Sequence, residues 1–181
     1  MITPTRPRYS RISKEASALI AQHHLSDAPV PIELLAESVG ATVVKHNFNK
    51  EISGLLLREK GKLIIGVAAE QPIQRQRFTI AHEIGHIVLH DFSDVHVDRN
   101  FSVMFRSTMP STAHDIFEVE ANVFAAELLM PEAFLEADTA SMELDIEDGR
   151  QLSELAGKYQ VSVQAITYRL MNLLSRDRLR V

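Results

Sequence analysis

Two histidines four positions apart, His82 and His86, with Glu83 directly after the first, are the residues in this chain best suited to chemistry. They lie in a run from Arg77 to His90 that carries Ile80, Ile84, Ile87 and Val88 and no proline. That pattern predicts one buried helix over 77–90. Positions four apart sit one turn above each other on a helix, so two imidazoles can bind one divalent ion. Glu83 then lies about a quarter turn away, within reach of a water on that ion. The plainer reading, a pair of core histidines, leaves a carboxylate beside the core without a partner. His90 extends the stripe by another turn. It falls at the helix end, where it is expected to answer the helix dipole or to support a ligand.

A zinc ion held by two helical histidines needs a third protein ligand and keeps one position open for water. A third histidine six residues after His86 would serve, but Phe92 stands there. The segment 116–131 offers a carboxylate instead. At about 100° per residue, Glu118, Ala121, Asn122, Ala125, Leu128 and Leu129 share one side of a helix. Glu118 is the acid on that stripe, and Ala121 and Ala125 let another helix approach closely. Asn122, one turn after Glu118, is placed to accept the outer ring N–H of a ligand histidine. Glu120 and Glu127 fall on the opposite side and are expected to be solvated surface charges. The chemistry implied is metal-assisted hydrolysis, with His82, His86 and Glu118 as ligands and Glu83 as general base.

The elements that position these groups read as an α+β fold. A helix is predicted over 14–24, capped by Ser13, and a second over 32–39, opened by Pro31 and ended by Gly40. Strands are predicted over 41–46, 51–58 and 62–67, the last two joined by a turn at Glu59-Lys60-Gly61. They imply a small antiparallel sheet ahead of a zincin-like helical core, with 51–67 offering an open edge for an extended substrate backbone. Residues 91–115 read as a long loop with one short strand pair, suited to a lid or substrate wall. His96, Arg106 and His114 lie in it as alternative candidates for steadying an oxyanion. After Pro131 come a short helix over 132–137 and an acidic connection over 143–148. A helical pair follows over 150–159 and 163–174, with Ser162 as N-cap. The expected organisation is an arm over 1–12, a metallopeptidase core over 13–149, and the helical pair over 150–181 packed on that core.

The run R-F-T-I-A-H-E-I-G-H-I-V-L-H, followed by E-V-E-A-N-V-F-A-A-E-L-L-M-P, resembles the ImmA/IrrE family of gluzincin-type metallopeptidases. The resemblance extends from about Val30 to about Leu174. It implies His82, His86 and Glu118 as zinc ligands, Glu83 as the base and Asn122 as the residue supporting a ligand. It also implies a protein substrate, a transcriptional repressor or antitoxin whose cleavage relieves repression under stress. Gly66 departs from the family pattern, in which an asparagine-like residue is expected at the end of the strand.

Composition narrows the class. With 181 residues, 45% of them hydrophobic, the chain can bury one ordinary core. It has no cysteine, which excludes disulfides and thiolate metal sites. Zinc(II) is the expected ion, and Mn(II) or another divalent ion also suits a mixed histidine and carboxylate set. No apolar stretch has the length of a membrane span and residues 1–8 do not read as a secretory signal, so a cytoplasmic protein without membrane contact is expected. A formal charge of −5 gives no general pull toward nucleic acid. Arg6, Arg8 and Arg11 near one end and Arg169, Arg176, Arg178 and Arg180 near the other read as solvated tails, or alternatively as a seat for an acidic partner. The helical pair has the outline of a DNA-reading helix-turn-helix, offering Gln164, Thr167, Tyr168 and Arg169. Its continuous apolar set, from Leu152 to Leu173, argues for packing on the core instead of direct DNA binding. The alternative function is a regulatory module that binds DNA or a repressor without proteolysis, its metal purely structural. That site would want four protein ligands, and three are well placed.

Overall fold

The computed structural model describes residues 5–48, 52–90, 95–99, 113–140, 145–146 and 148–178. Within them the chain runs α1 (Tyr9–Gln22), α2 (Ile32–Ser38), β1 (Ala41–His46), β2 (Ile52–Glu59), β3 (Lys62–Ala68), α3 (Ile73–Leu89), β4 (Val95–Arg99), α4 (Ala113–Leu129), α5 (Glu132–Thr139), α6 (Gly149–Tyr159) and α7 (Val163–Arg178). The fold is α+β. No helix among the described residues is long and apolar enough to cross a membrane.

The four strands form one sheet in the order β1-β3-β2-β4. β2 and β3 make a tight hairpin through Lys60 and Gly61, both at positive φ, as a two-residue turn between twisted strands requires. The sheet differs from the antiparallel one the alternation implies, because β1 runs parallel to β3. The cause is the position of β3. Its apolar run from Leu63 to Ala68 is the most continuous of the described strands, so it takes a central place with a neighbour on each side. The chain therefore leaves a gap beside β1, lays down β2, and turns back to fill the gap with β3. As a result 51–67 is not an open edge: β2 and β3 are paired on both sides, and β1 and β4 are the outer strands. The β2–β4 pairing shifts register between Ile52 and Gly54, which breaks the ladder beside α3. At Gly66 an added Cβ would lie 2.9 Å from Cζ of Phe48, so the ring occupies the space a larger residue there would need.

Helix α3 is enclosed on all sides. It packs on β2 and β3 and against α4, α2 and α1, and every residue from Gln76 to His86 is buried. Both its apolar face and its histidine face are thus internal. Helix α1 starts at Tyr9, earlier than its expected start at 14, so Ser13 lies inside it and does not cap it. The additional turn brings Ile12 onto the buried stripe with Ala16, Leu19 and Ile20.

In the C-terminal pair, Ser162 Oγ accepts from the Ala165 N–H, capping α7. Leu152, Leu155, Ala156, Tyr159, Val161, Ile166 and Leu170 belong to the same buried cluster as the apolar residues of α1 to α5. Arg169, one of the residues a DNA-reading helix would offer, is buried: its Nε donates to the Met130 carbonyl and its guanidinium pairs with Glu127 at 3.5 Å. Neither Arg169 nor Glu127 is the solvated charge expected of it.

Candidate metal centre

His82, Glu83 and His86 are carried on α3, and Glu118 and Asn122 on α4. Gly85 lets these helices meet. A Cβ added there would lie 3.1 Å from the Ala121 Cα and 3.2 Å from the Phe124 ring, so the backbones approach as closely as a missing side chain permits. At that separation Glu118 reaches both histidines. Its Oε2 lies 3.3 Å from His82 Nε2 and its Oε1 3.4 Å from His86 Nε2, while the two Nε2 atoms are 2.9 Å apart. The three residues form a group able to hold a metal ion, with donor atoms all within 4.8 Å of one another. Two bonds of about 2.0–2.1 Å at a tetrahedral angle span roughly 3.3 Å, so the spacing fits an ion of zinc's size after a small relaxation.

Proton placement on the imidazoles fits the same conclusion. Asn122 Oδ1 only accepts, so the His82 Nδ1 facing it at 3.1 Å carries a hydrogen, and Nε2 is the nitrogen turned toward Glu118. His86 Nδ1 faces His90 Nδ1 at 3.1 Å, and His90 Nε2 donates to Glu120 Oε2 at 2.9 Å. With its hydrogen committed to Glu120, neutral His90 has a bare Nδ1, which accepts from His86. The two Nε2 atoms thus face each other beside the Glu118 carboxylate, a donor set that suits a divalent cation.

Glu120 is the residue the helical wheel misplaces. It is fully buried, and Arg8 grips it three times: the backbone N–H to Oε1 at 2.7 Å, Nε to Oε1 at 2.9 Å and Nη2 to Oε2 at 2.6 Å. Arg8 Nη2 also donates to the Leu89 carbonyl at the end of α3. Burial pushes the Glu120 carboxyl up, but the hydrogen bonds from Arg8 and His90 outweigh it and hold its pKa down to about 2. Burial lowers the pKa of His90, against the opposing pull of Glu120, so the ring is neutral near pH 7. A signal for this burial was present in the sequence. Segment 116–131 is rich in apolar residues around the acids, with Phe117, Val119, Val123 and Phe124 on more than one side, a composition that favours burial of most of the helix.

Glu83 is fully buried beside β2. Gly54 makes room for it: a Cβ there would fall 2.5 Å from Thr79 Cγ2 and 2.9 Å from Glu83 Oε1. Among the oxyanion candidates, β4 sets His96 opposite Leu56 in register and His114 lies in the first turn of α4. Arg106 lies outside the described residues.

Residues 36–171 match the Peptidase M78 family model, described as the IrrE N-terminal-like domain. The chain belongs to this family. It is similar to "Uncharacterized immunity region protein 2" of Bacillus phage phi105, 31% identical over 132 residues, or 73% of this chain and 76% of that protein. It is also similar to the "Radiation response metalloprotease IrrE" of Deinococcus radiodurans, 34% identical over 112 residues, or 62% of this chain. The aligned part is 31% of the IrrE protein's length. Among solved structures, a Mycobacterium tuberculosis transcriptional regulator superposes with a TM-score of 0.60 at 15% identity, over 89% of this chain and 46% of that one. At that identity the likeness shows the fold alone.

Membership in an M78 peptidase family containing a metalloprotease supports a metallopeptidase-type function. The ImmA/IrrE resemblance read from the two helical motifs agrees with it. His82, Glu83, His86, His90, Glu118, Glu120 and Asn122 all lie within the family match. Arg8 lies before its start, although it touches the centre through Glu120.

Proposed function

We propose that this chain is a zinc-dependent endopeptidase that cleaves a partner protein, a helix-turn-helix transcriptional repressor or antitoxin, and so relieves repression. The observation that carries this reading is the convergence of His82, His86 and Glu118 donors beside the buried carboxylate of Glu83. One relative's name, a metalloprotease, supports peptide hydrolysis, and another's, a phage immunity region protein, supports a role in regulation.

His82, His86 and Glu118 would hold the ion, which when bound polarises a peptide carbonyl and makes a nearby water acidic. Asn122 and His90 orient the two imidazoles. Glu83 takes a proton from the attacking water and delivers it to the departing amine nitrogen, so one carboxylate serves as base and then as acid. Its buried seat against Gly54 shields that proton from bulk solvent. The outer strand β4, paired along β2 beside α3, offers a backbone edge on which an extended substrate can align.

The test is incubation of the full chain and zinc(II) with candidate helix-turn-helix repressors, starting with any encoded beside its gene, read by mass spectrometry. The expected result is one discrete cleavage, abolished in Glu83→Gln although that variant still binds zinc. A Glu83→Gln variant with parental cleavage would refute the base. Tight association with the repressor and no cleavage at all would instead establish the non-proteolytic module.

A further inference from the structure

We infer that Arg8, Glu120 and His90 form a positioning relay that fixes the proton on His86 and so prepares its Nε2 for the ion. This deepens the proposed metal centre and rests on His86 being a ligand. The chain of contacts is continuous and runs one way. A carboxylate oxygen only accepts, so Glu120 Oε2, 2.9 Å from His90 Nε2, draws the ring hydrogen to that nitrogen. The other nitrogen of His90 lies 3.1 Å from His86 Nδ1. Two ring nitrogens at that distance share one hydrogen, and with His90 Nδ1 bare it belongs to His86. Neither ring can turn to water for an alternative, because the His90 and His86 side chains are 2% and 3% exposed.

Arg8 holds the origin of this chain. Its two-pronged grip on Glu120 leaves Oε2 directed at His90. A carboxylate placed directly on a ligand histidine would add a full negative charge next to the ion. Here that charge is one residue further out and balanced by a guanidinium, so the relay sets orientation and tautomer with less change in ligand basicity. A residue from the segment before α1, outside the span of the family match, thereby acts on the metal site through two others.

A purely structural ion pair would lock α1 to α4 without affecting His86, and the test separates the two. Zinc(II) affinity is measured on the full chain by competition with a chromophoric chelator, folding is followed by circular dichroism, and the histidine tautomers of the metal-free protein are read from 15N NMR. The unaltered protein is expected to show the Nδ1–H tautomer at His86; the Nε2–H tautomer there overturns the relay whatever the variants do. His90→Leu is expected to bind zinc roughly 10–100-fold more weakly, the usual cost of losing a group that supports a ligand. His90→Asn, whose carbonyl can accept from His86 Nδ1, is expected to recover most of that loss. Arg8→Met is expected to weaken binding by less than His90→Leu. A folded His90→Leu with parental affinity overturns the relay, and parental affinity in Arg8→Met removes Arg8 from it. Absence of zinc binding by the unaltered protein would instead overturn the metal centre itself.

Discussion

Replacing Gly85 tests whether close approach of α3 and α4 creates the proposed metal site. A Cβ at this position meets Ala121 Cα at 3.1 Å, Phe124 Cδ1 at 3.2 Å and the Ala121 carbonyl oxygen at 3.3 Å. Carbon atoms prefer about 3.5–4.0 Å, so Gly85→Ala needs its neighbours to yield by only a few tenths of an ångström. Overpacking of about 1 kcal/mol is then offset by the ~1 kcal/mol that alanine gains over glycine inside a helix. Stability should change little. Gly85→Leu adds three further carbons against the α4 backbone and must move that helix outward by roughly 1 Å, costing about 1–3 kcal/mol. Glu118 is carried along. Metal–ligand distances tolerate about 0.2 Å, so the carboxylate leaves bonding range and zinc affinity should fall at least ~10–100-fold. Chelator competition measures the affinity and urea unfolding the stability. A double-mutant comparison completes the test: Glu118→Ala added to Gly85→Leu should bring little further loss, because both act on one ligand. A folded Gly85→Leu variant whose zinc affinity stays within about threefold of the parent would refute the reasoning.

Two further substitutions probe other parts of the site. Gly54→Ala puts a methyl group 2.9 Å from Glu83 Oε1 and 2.5 Å from Thr79 Cγ2, displacing the proposed base but none of the three proposed ligands. Cleavage should fall about 100-fold while zinc affinity stays nearly constant, and an equal loss in both would show that Gly54 serves the fold alone. Glu120→Gln removes a carboxylate whose folded pKa, about 2, lies below its ordinary 4.5. Such a group stabilises the fold fully above the unfolded value and loses that contribution as pH falls toward the folded one. The stability gap between parent and Glu120→Gln, measured by urea unfolding of the metal-free protein, should therefore be constant above about pH 5 and narrow steadily toward pH 2. A gap that does not vary with pH would contradict the Arg8 and His90 bonding to this carboxylate.

Much of the molecule was legible in the chain. The 3.6-residue period placed His82 and His86 on one face of α3, and put Glu118, Ala121 and Asn122 together on α4, because side-chain direction within a helix is local geometry. Strand positions 41–46, 51–58 and 62–67 match β1, β2 and β3 to within a residue at each end, since turn chemistry and alternation are local too. Glu120 and Glu127 were misjudged because a single wheel has only an inside and an outside. Helix α4 has neighbours on several sides, so an acid turned away from α3 meets Arg8 and His90, or Arg169, instead of water. The arginines near each end misled for the same reason: Arg8 and Arg169 each answer a buried acid more than thirty residues away in sequence, and nothing local records that pairing.

By itself, then, the sequence determined which side chains share a helical face, where strands and turns fall, and that Glu118 is the acid beside Ala121 and Asn122 on the inward stripe of its helix. Tertiary structure alone decided that β1 joins the sheet parallel to β3, that Gly85 against Ala121 sets the distance Glu118 must cross, and that Arg8 and His90 meet at the buried Glu120. The division has one physical cause. Facing along an element follows from backbone geometry repeated every few residues, whereas pairing between elements depends on which buried surfaces and charges find each other after the chain has closed long loops.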